Sequence, residues 1–317
     1  MSRSVSIVMY HYVRDLVHSR YPLIKARSID DFRFQIDYLK KKGTFISTEQ
    51  LIDAVLNGSD LPQNAVMVSF DDGYIDHYTN VFPILYDQRI EGMFFPPVEP
   101  ILANKVLDVN KIHFILASEP NIKSLIKQIS LWMHEHSEFY QLDSFDEMWK
   151  EYAVPSRYDN PETVFVKFSL QRGLPKPARN ALVSTLFEKY VTRDEAAFSA
   201  ELYLSQDQIR IMNQCGQCIG SHGYTHEWMD ILGPQGQELE IKESTSYLTP
   251  LGMPKDNWIM CYPYGCYPYN AVDEQLRTLL KSYGCALALT DHGGVADIDN
   301  CDRFFVQRID TNEIPVR

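Results

Sequence analysis

Residues 65–74 have the sequence AVMVSFDDGY, an apolar run that ends in two carboxylates and a glycine. The β-branched run predicts a buried strand, and Gly73 lets the chain turn sharply after it. Asp71 and Asp72 would repel each other if both were unpaired, and a cation beside them removes that penalty. Because neighbours on an extended chain point to opposite sides, one carboxylate could bind a metal while the other stays free as a base. A solvated Asp-Asp-Gly turn is the alternative that this stretch alone leaves open.

A second stretch, GSHGYTH at residues 220–226, carries two histidines after a short apolar segment. His222 and His226 are four apart, so a helical turn or a tight loop would bring both imidazoles to one face. Two histidines and one carboxylate are the ligand set of a catalytic zinc or similar divalent ion, with one position left for water. Histidines that cap or pack the start of a helix are the alternative.

A third stretch, IMCYPYG at residues 259–265, is an apolar strand signal followed by a stiff proline and a glycine. Such a turn can present a backbone N–H to a developing oxyanion. An ordinary aromatic-proline loop is the alternative. A functional role is favoured only because the other two stretches occur in the same chain.

The order of SFDDGY, SHGYTH and CYPYG resembles the polysaccharide deacetylases, carbohydrate esterase family four. The matching residues are Ser69–Gly73, His222–His226 and Pro263–Tyr264, and Met9–Val13 is similar to the M-Y-H-x-I/V start of many such proteins. The resemblance covers roughly residues 5–101 and 205–314. It departs from the family pattern at two positions, with a glycine at 223 and a cysteine at 261.

The resemblance implies metal-dependent removal of an N-acetyl group from an amino sugar in a glycan or glycan precursor. Asp72, His222 and His226 would hold the metal, with zinc expected first and cobalt or nickel as possible substitutes. Asp71 would be the general base, and the N–H of Tyr264 would bind the oxyanion.

Two further roles are less closely matched to the family. The general acid comes from a late L-x-H motif in the family, and His292 is the nearest candidate here, with His11 as its competitor. The family arginine that pairs with the base is absent at Cys261, and either Arg308 or Arg303 could replace it.

Strand and helix signals alternate in residues 1–100 and 205–317, which predicts a parallel sheet covered by helices. Polar residues follow five predicted strands, as at the rim of a barrel enzyme; they are His11, Asp71/Asp72, His222/His226, Tyr264 and Asp291/His292. The predicted fold class is therefore α/β, a distorted (β/α) barrel, which the resemblance also implies. Residues 101–204 carry few strand signals and are predicted to form a helical insertion.

Composition excludes some partners. A net charge of −12 argues against nucleic acid and against charge-driven docking on anionic lipid. The N-terminal apolar run is too short for a signal peptide and no segment is long enough to span a membrane, so the cytoplasm is the expected compartment.

Cys215-x-x-Cys218 could be half of a zinc site or a redox pair, but no second pair accompanies it, which favours small buried thiols.

Two rival functions remain open at this point. The same metal site could hydrolyse a cyclic or other small amide, a reaction that a pocket narrowed by the insertion would favour. Alternatively, the chain could be a non-catalytic carbohydrate-binding relative, as the departures at Gly223, at Cys261 and at the late histidine suggest. The intact Asp-Asp and His-x-x-x-His pairs favour the deacetylase.

Overall fold

A mostly parallel sheet, rolled into a nearly closed barrel, forms the centre of the computed structural model, which describes residues 3–156, 159–266 and 272–317. The strands are β1 (Ser4–Tyr10), β2 (Thr44–Phe45), β3 (Ala65–Asp71), β4 (Gly92–Phe95), β5 (Cys218–Ile219), β6 (Trp258–Cys261), β7 (Cys285–Gly293), β8 (Ala296–Asp297) and β9 (Val306–Asp310). The predicted (β/α) barrel is confirmed.

The strand order is β5-β4-β3-β1-β9-β7-β6, with β2 beside the start of β3 and β8 antiparallel to β1. The two ends of this order meet just beyond β5. There the N–H of Ser221 donates to the carbonyl of Ile259 at 3.0 Å, and the N–H of Cys261 donates to the carbonyl of Ser221 at 2.8 Å. These bonds nearly close the barrel and bring the end of β5 beside the end of β6.

Alternate residues of the strands fill two apolar layers, as the two-residue period of a strand requires. The barrel interior contains Ile7, Met67, Phe95, Leu287 and others from all the long strands, and Leu51 and Ala54 pack against it. The opposite faces of the same strands pack against the helices in a second core. Because both faces are buried, every residue of β3 before Asp71 is apolar except Ser69.

The helices are α1 (Ile29–Lys42), α2 (Thr48–Asn57), α3 (Phe82–Asp87), α4 (Val98–Ala103), α5 (Asp108–Ser118), α6 (Ile122–Tyr140), α7 (Phe145–Tyr152), α8 (Pro161–Phe168), α9 (Lys176–Tyr190), α10 (Glu195–Leu202), α11 (Gln206–Gln214), α12 (Pro234–Leu248) and α13 (Glu274–Ser282). Several of these helices begin at a capping side chain. Ser205 and Gln208 form a capping box at α11, and Ser47 forms one with Gln50 at α2. A one-turn π-helix, His77–Val81, precedes α3.

The strand β7 is longer than its apolar run indicates. The apolar run Cys285–Leu289 predicts a strand that ends before Asp291 and His292, but pairing with β9 continues to Gly293 after a shift in register. Asp291 and His292 therefore lie within β7.

The chain divides into two compact units. One contains every strand of the described chain. The other consists of Leu16–Lys25 and Val106–Phe198 and is helical, with a core of its own that includes Ile112, Leu125 and Phe187. The division predicted from the sequence, 1–100 and 205–317 against 101–204, stays a prediction. Within the described residues, no helix combines the length and the apolar character needed to cross a bilayer.

Candidate functional site

The two neighbouring carboxylates leave the barrel where β3 ends. Asp71 is the last residue of the strand, whereas Asp72 has a φ of 70° and Gly73 a φ of 62°. Aspartate tolerates this left-handed conformation better than most residues, and Gly73 is needed because a Cβ there would lie 2.7 Å from the Cβ of Pro96. The two side chains therefore point apart because of a left-handed turn. The alternation of an extended chain, which the sequence predicted, is not the cause.

Asp72 faces both histidines of the second stretch. Its Oδ1 lies 3.4 Å from Nε2 of His222 and 3.1 Å from Nε2 of His226. All three residues are buried. The histidines lie in a loop, with a φ of 77° at Gly223 and 63° at His226. The tight-loop alternative is therefore the one observed, and the helical turn is not.

The backbone sets the tautomer of His222. Its Nδ1 lies 2.8 Å from the carbonyl oxygen of Cys261, and because a carbonyl only accepts, Nδ1 carries the hydrogen. In the neutral ring this leaves the lone pair of Nε2 toward Asp72, the arrangement usual for a metal-bound histidine.

The Asp72, His222 and His226 donors fit a divalent cation. Ligand atoms about 2.0–2.1 Å from a tetrahedral zinc are about 3.3 Å apart, close to the 3.1 and 3.4 Å found here. A second group, Asp71 with His222 and Cys261, is also compact. Both oxygens of Asp71 accept from an arginine, however, and burial raises the pKa of the Cys261 thiol well above its usual range. The first group is the better metal site.

A tyrosine fixes the other oxygen of Asp72. The hydroxyl of Tyr74 donates to Asp72 Oδ2, and the ring of Tyr74 stacks on that of Tyr12 at 3.9 Å. Burial, and after it the charge of Asp72, raises the pKa of Tyr74 well above its usual value, so the hydroxyl keeps its proton and donates. No pattern in the sequence indicates this role, although Tyr74 stands two residues after Asp72 in the same stretch.

Asp71 is paired with Arg308 on β9. The guanidinium makes two hydrogen bonds of 2.8 Å, one to each carboxylate oxygen, and Arg308 is 1% exposed. Burial would raise the pKa of Asp71, but the charge and hydrogen bonds of Arg308 outweigh it and hold the pKa well below the usual range. Cys261 Sγ lies 3.4 Å from Asp71 Oδ1. Arg308 thus contacts the carboxylate, while Arg303 lies over the ring of Phe304.

Of the two candidate acids, the structure describes the side chain of one. His11 follows β1 directly, its side chain is 45% exposed, and its Nε2 lies 4.0 Å from Asp71 Oδ2. The side chain of His292 lies outside the described part of the structure.

Aromatic rings flank the site on the side of His226. Tyr264, with a φ of 57°, packs its ring at a steep angle to His226, with centroids 4.8 Å apart. The ring of the half-buried Trp228 stacks nearly parallel on that of Tyr264, with centroids 4.0 Å apart. Cys215 and Cys218 are both free and half-buried, Cys218 packs against the barrel interior, and neither belongs to the donor groups above.

The site combines a buried carboxylate paired with arginine, three convergent side chains that could hold a metal ion, and a solvent-accessible histidine. Such a set can activate water and supply a proton to a leaving group.

Comparisons with known proteins agree with this chemistry. The sequence model of the family described as polysaccharide deacetylase matches residues 156–287, a range that contains the second and third stretches. Poly-beta-1,6-N-acetyl-D-glucosamine N-deacetylases of Escherichia coli strains K12 and O157:H7 are each 35% identical over 80 residues. That alignment spans 25% of this chain and only 12% of the length of these relatives.

Solved structures share the fold over nearly the whole chain. The deacetylase PplD of Streptococcus pyogenes, in complex with acetate, superposes with a TM-score of 0.58 at 16% identity, covering 98% of this chain and 93% of that one. IcaB of Ammonifex degensii gives 0.53 at 18% identity, covering 97% and 91%. This chain is therefore similar to the polysaccharide deacetylases in its ordered motifs and in the family match over residues 156–287, and it shares the fold of the solved structures.

Proposed function

We propose that this protein is a metal-dependent hydrolase that removes the N-acetyl group from an amino sugar in a glycan or glycan precursor. The observation that carries the proposal is the pairing of two sites: the donors of Asp72, His222 and His226, and, one residue away, the Asp71 carboxylate held by Arg308. The names of the relatives support the substrate class.

Zinc is the ion that two imidazoles and one carboxylate favour, and cobalt or nickel accept the same ligands. When bound, such an ion would lower the pKa of a water molecule and polarise the acetyl carbonyl. Tyr74 would hold Asp72 in place through its hydroxyl, and the Cys261 carbonyl would hold the ring of His222.

Asp71 would accept the proton of the attacking water. Arg308 keeps this carboxylate ionised, so it can accept a proton throughout the neutral pH range. The N–H of Tyr264 is the proposed donor to the oxygen of the acetyl group as negative charge develops there.

His11 would give the leaving amine its proton. It is exposed enough to reach a substrate and lies 4.0 Å from Asp71. This proposal favours His11 over His292, which the sequence placed first.

The flat rings of Tyr264 and Trp228 beside His226 support a sugar as the substrate. Partly exposed aromatic rings offer a broad apolar face at low entropic cost, suited to the C–H face of a pyranose ring. The cytoplasm stays the predicted compartment.

The test is a substrate panel with metal-loaded full-length protein. Acetate release is measured from N-acetylglucosamine oligomers, and ring opening is measured for cyclic imides, each before and after chelation. Chelator-sensitive acetate release is expected. Imide opening without acetate release would favour the small-amide hydrolase, and sugar binding without either reaction would favour the binding protein.

A further inference from the structure

The loop between the two histidines is fastened by a buried carboxylate on α12. Glu240 is 3% exposed. Its Oε2 accepts hydrogen bonds from the N–H groups of Tyr224 at 2.7 Å and Thr225 at 2.9 Å, and its Oε1 accepts from the Thr225 hydroxyl. Two successive backbone N–H groups that converge on one oxygen form an anion-binding concavity, which the protein fills with its own side chain.

The glycine at 223 matches this carboxylate. A Cβ at Gly223 would lie 2.7 Å from Glu240 Oε2, and the φ of 77° disfavours any other residue. The N–H of Gly223 donates to Ser221 Oγ at 3.1 Å. The departure from the family pattern at Gly223 is therefore explained by the space that Glu240 occupies.

The opposite edge of the loop is also bound. The carbonyl oxygen of Tyr224 accepts from the N–H groups of Val98 at 3.2 Å and Glu99 at 2.8 Å, at the start of α4. The loop is thus held by its carbonyl on one side and by its amides on the other. On the amide side Glu240 supplies the acceptors for two adjacent residues, Tyr224 and Thr225, just before His226.

We propose that Glu240 is a positioning residue for the metal site: it holds the loop between His222 and His226 so that both imidazole nitrogens face Asp72. This rests on the proposed function, because it assumes that these three residues bind a metal. Glu240 acts through backbone groups and itself lies outside the ligand set.

The experiment measures Co²⁺ binding by the full-length chain. Affinity is obtained by competition with a chelator, and the visible absorption spectrum reports the ligand geometry. Glu240→Leu removes the acceptors and is expected to weaken Co²⁺ binding about tenfold to a hundredfold, as for other residues that orient metal ligands. Its Co²⁺ spectrum should change as well.

Glu240→Gln is the conservative variant, because its amide oxygen can accept both backbone N–H groups. Its affinity and spectrum should stay close to those of the wild type. Thr225→Val removes only the hydroxyl contact and should fall between the two, which keeps the proposal testable if the leucine variant does not fold.

Gln217→Leu is the matched control. Gln217 is also buried and also holds backbone, accepting from the N–H of Gly92 at 2.9 Å and donating to the carbonyl of Ile90 at 3.3 Å, at the other end of β5. This variant should lower the unfolding temperature and leave Co²⁺ affinity unchanged.

A folded Glu240→Leu protein with wild-type affinity and spectrum would overturn the positioning role while leaving the metal site intact. Equal losses in the leucine and glutamine variants would overturn it too, since hydrogen-bond acceptance would then not be the cause. A wild type that binds no Co²⁺ would reject the proposed metal site itself, and the role of Glu240 with it.

Discussion

Asp71 and Asp72 are adjacent in the chain but have separate partners. Asp71 shares both oxygens with Arg308, whereas Asp72 divides its oxygens between two imidazoles and the Tyr74 hydroxyl. A buried carboxylate without a cation would be protonated or destabilising. Arg308 is that cation for Asp71, and a metal ion held with His222 and His226 would be the cation for Asp72, which is why the proposed function makes one carboxylate the base and the other a ligand.

His77 makes stability depend on pH. Its ring is fully buried, Nε2–H donates to the carbonyl of His11 at 2.9 Å, and Nδ1 has no partner. Burial lowers the pKa of His77 to about 4 from 6.5. Between those values the unfolded chain binds a proton that the folded chain does not, so the free energy of unfolding should fall as pH drops, by about 3 kcal/mol at most.

Urea unfolding of the metal-free chain at several pH values from about 7 to about 4.5 measures this pH dependence, because a histidine in the unfolded chain takes up its proton in that interval. His77→Gln keeps an N–H donor for the His11 carbonyl but does not titrate. Its unfolding free energy should decline less steeply than that of the wild type. Parallel declines in the two proteins would contradict a buried neutral His77.

Trp228 should matter for sugars and not for small substrates. Trp228→Ala removes the ring that stacks on Tyr264, and such aromatic contacts contribute about 0.5–1.5 kcal/mol, or up to about tenfold in kcat/KM. The loss should appear with N-acetylated oligomers and not with a small acetyl ester. Trp228→Phe should retain most of the activity; equal losses on both substrates in Trp228→Ala would refute a sugar-binding role.

The guanidinium beside Asp71 lies on a different strand from the one that the family pattern indicates. The arginine expected on β6 is Cys261, and the guanidinium comes instead from Arg308 on β9. Both side chains contact Asp71 Oδ1, at 3.4 and 2.8 Å. A barrel allows the guanidinium to come from either strand, because side chains from different strands point into the same interior.

Because both side chains contact Asp71, substitutions at positions 261 and 308 should have coupled effects on the free energy of unfolding. Arg308→Ala leaves Asp71 buried without its cation and should cost about 3–5 kcal/mol of stability. Cys261→Arg should also destabilise, because it brings a second guanidinium beside the first. The double variant, with one arginine again facing Asp71, should be more stable than the sum of the single changes predicts. A double-mutant cycle by urea unfolding measures this, and strict additivity would contradict it.

The sequence identified the strand ends because apolar runs that stop at Asp71 and Cys261 are local signals, and a barrel gathers such ends at one rim. Arg308 could be proposed only as one of two candidates, since its choice depends on how β9 aligns with β3 across β1. The contacts of Glu240 and Tyr74 depend on where α12 packs and where the chain turns after β3. Neither leaves a periodic pattern in the sequence.

Metal binding should raise the stability of one of the two compact units and not of the other. The barrel unit contains the donors, whereas the helical unit has its own core and none of them. Scanning calorimetry should therefore show two transitions, one of which rises by several degrees when zinc is added at about 100 times its Kd, a gain of about 2.7 kcal/mol. Chelation should reverse the shift. A single transition, or an equal shift of both, would contradict the division into two units.

The most direct test of the account compares Asp71→Asn with Asp72→Ala, measuring metal content by elemental analysis and acetate release on the same samples. The wild type should hold about one metal ion per chain. Asp71→Asn should keep that metal and lose about 10²–10⁴-fold in turnover, the range for a general base, whereas Asp72→Ala should lose both metal and turnover. Near-normal turnover in Asp71→Asn, or full metal content in Asp72→Ala, would contradict the roles assigned to the two carboxylates.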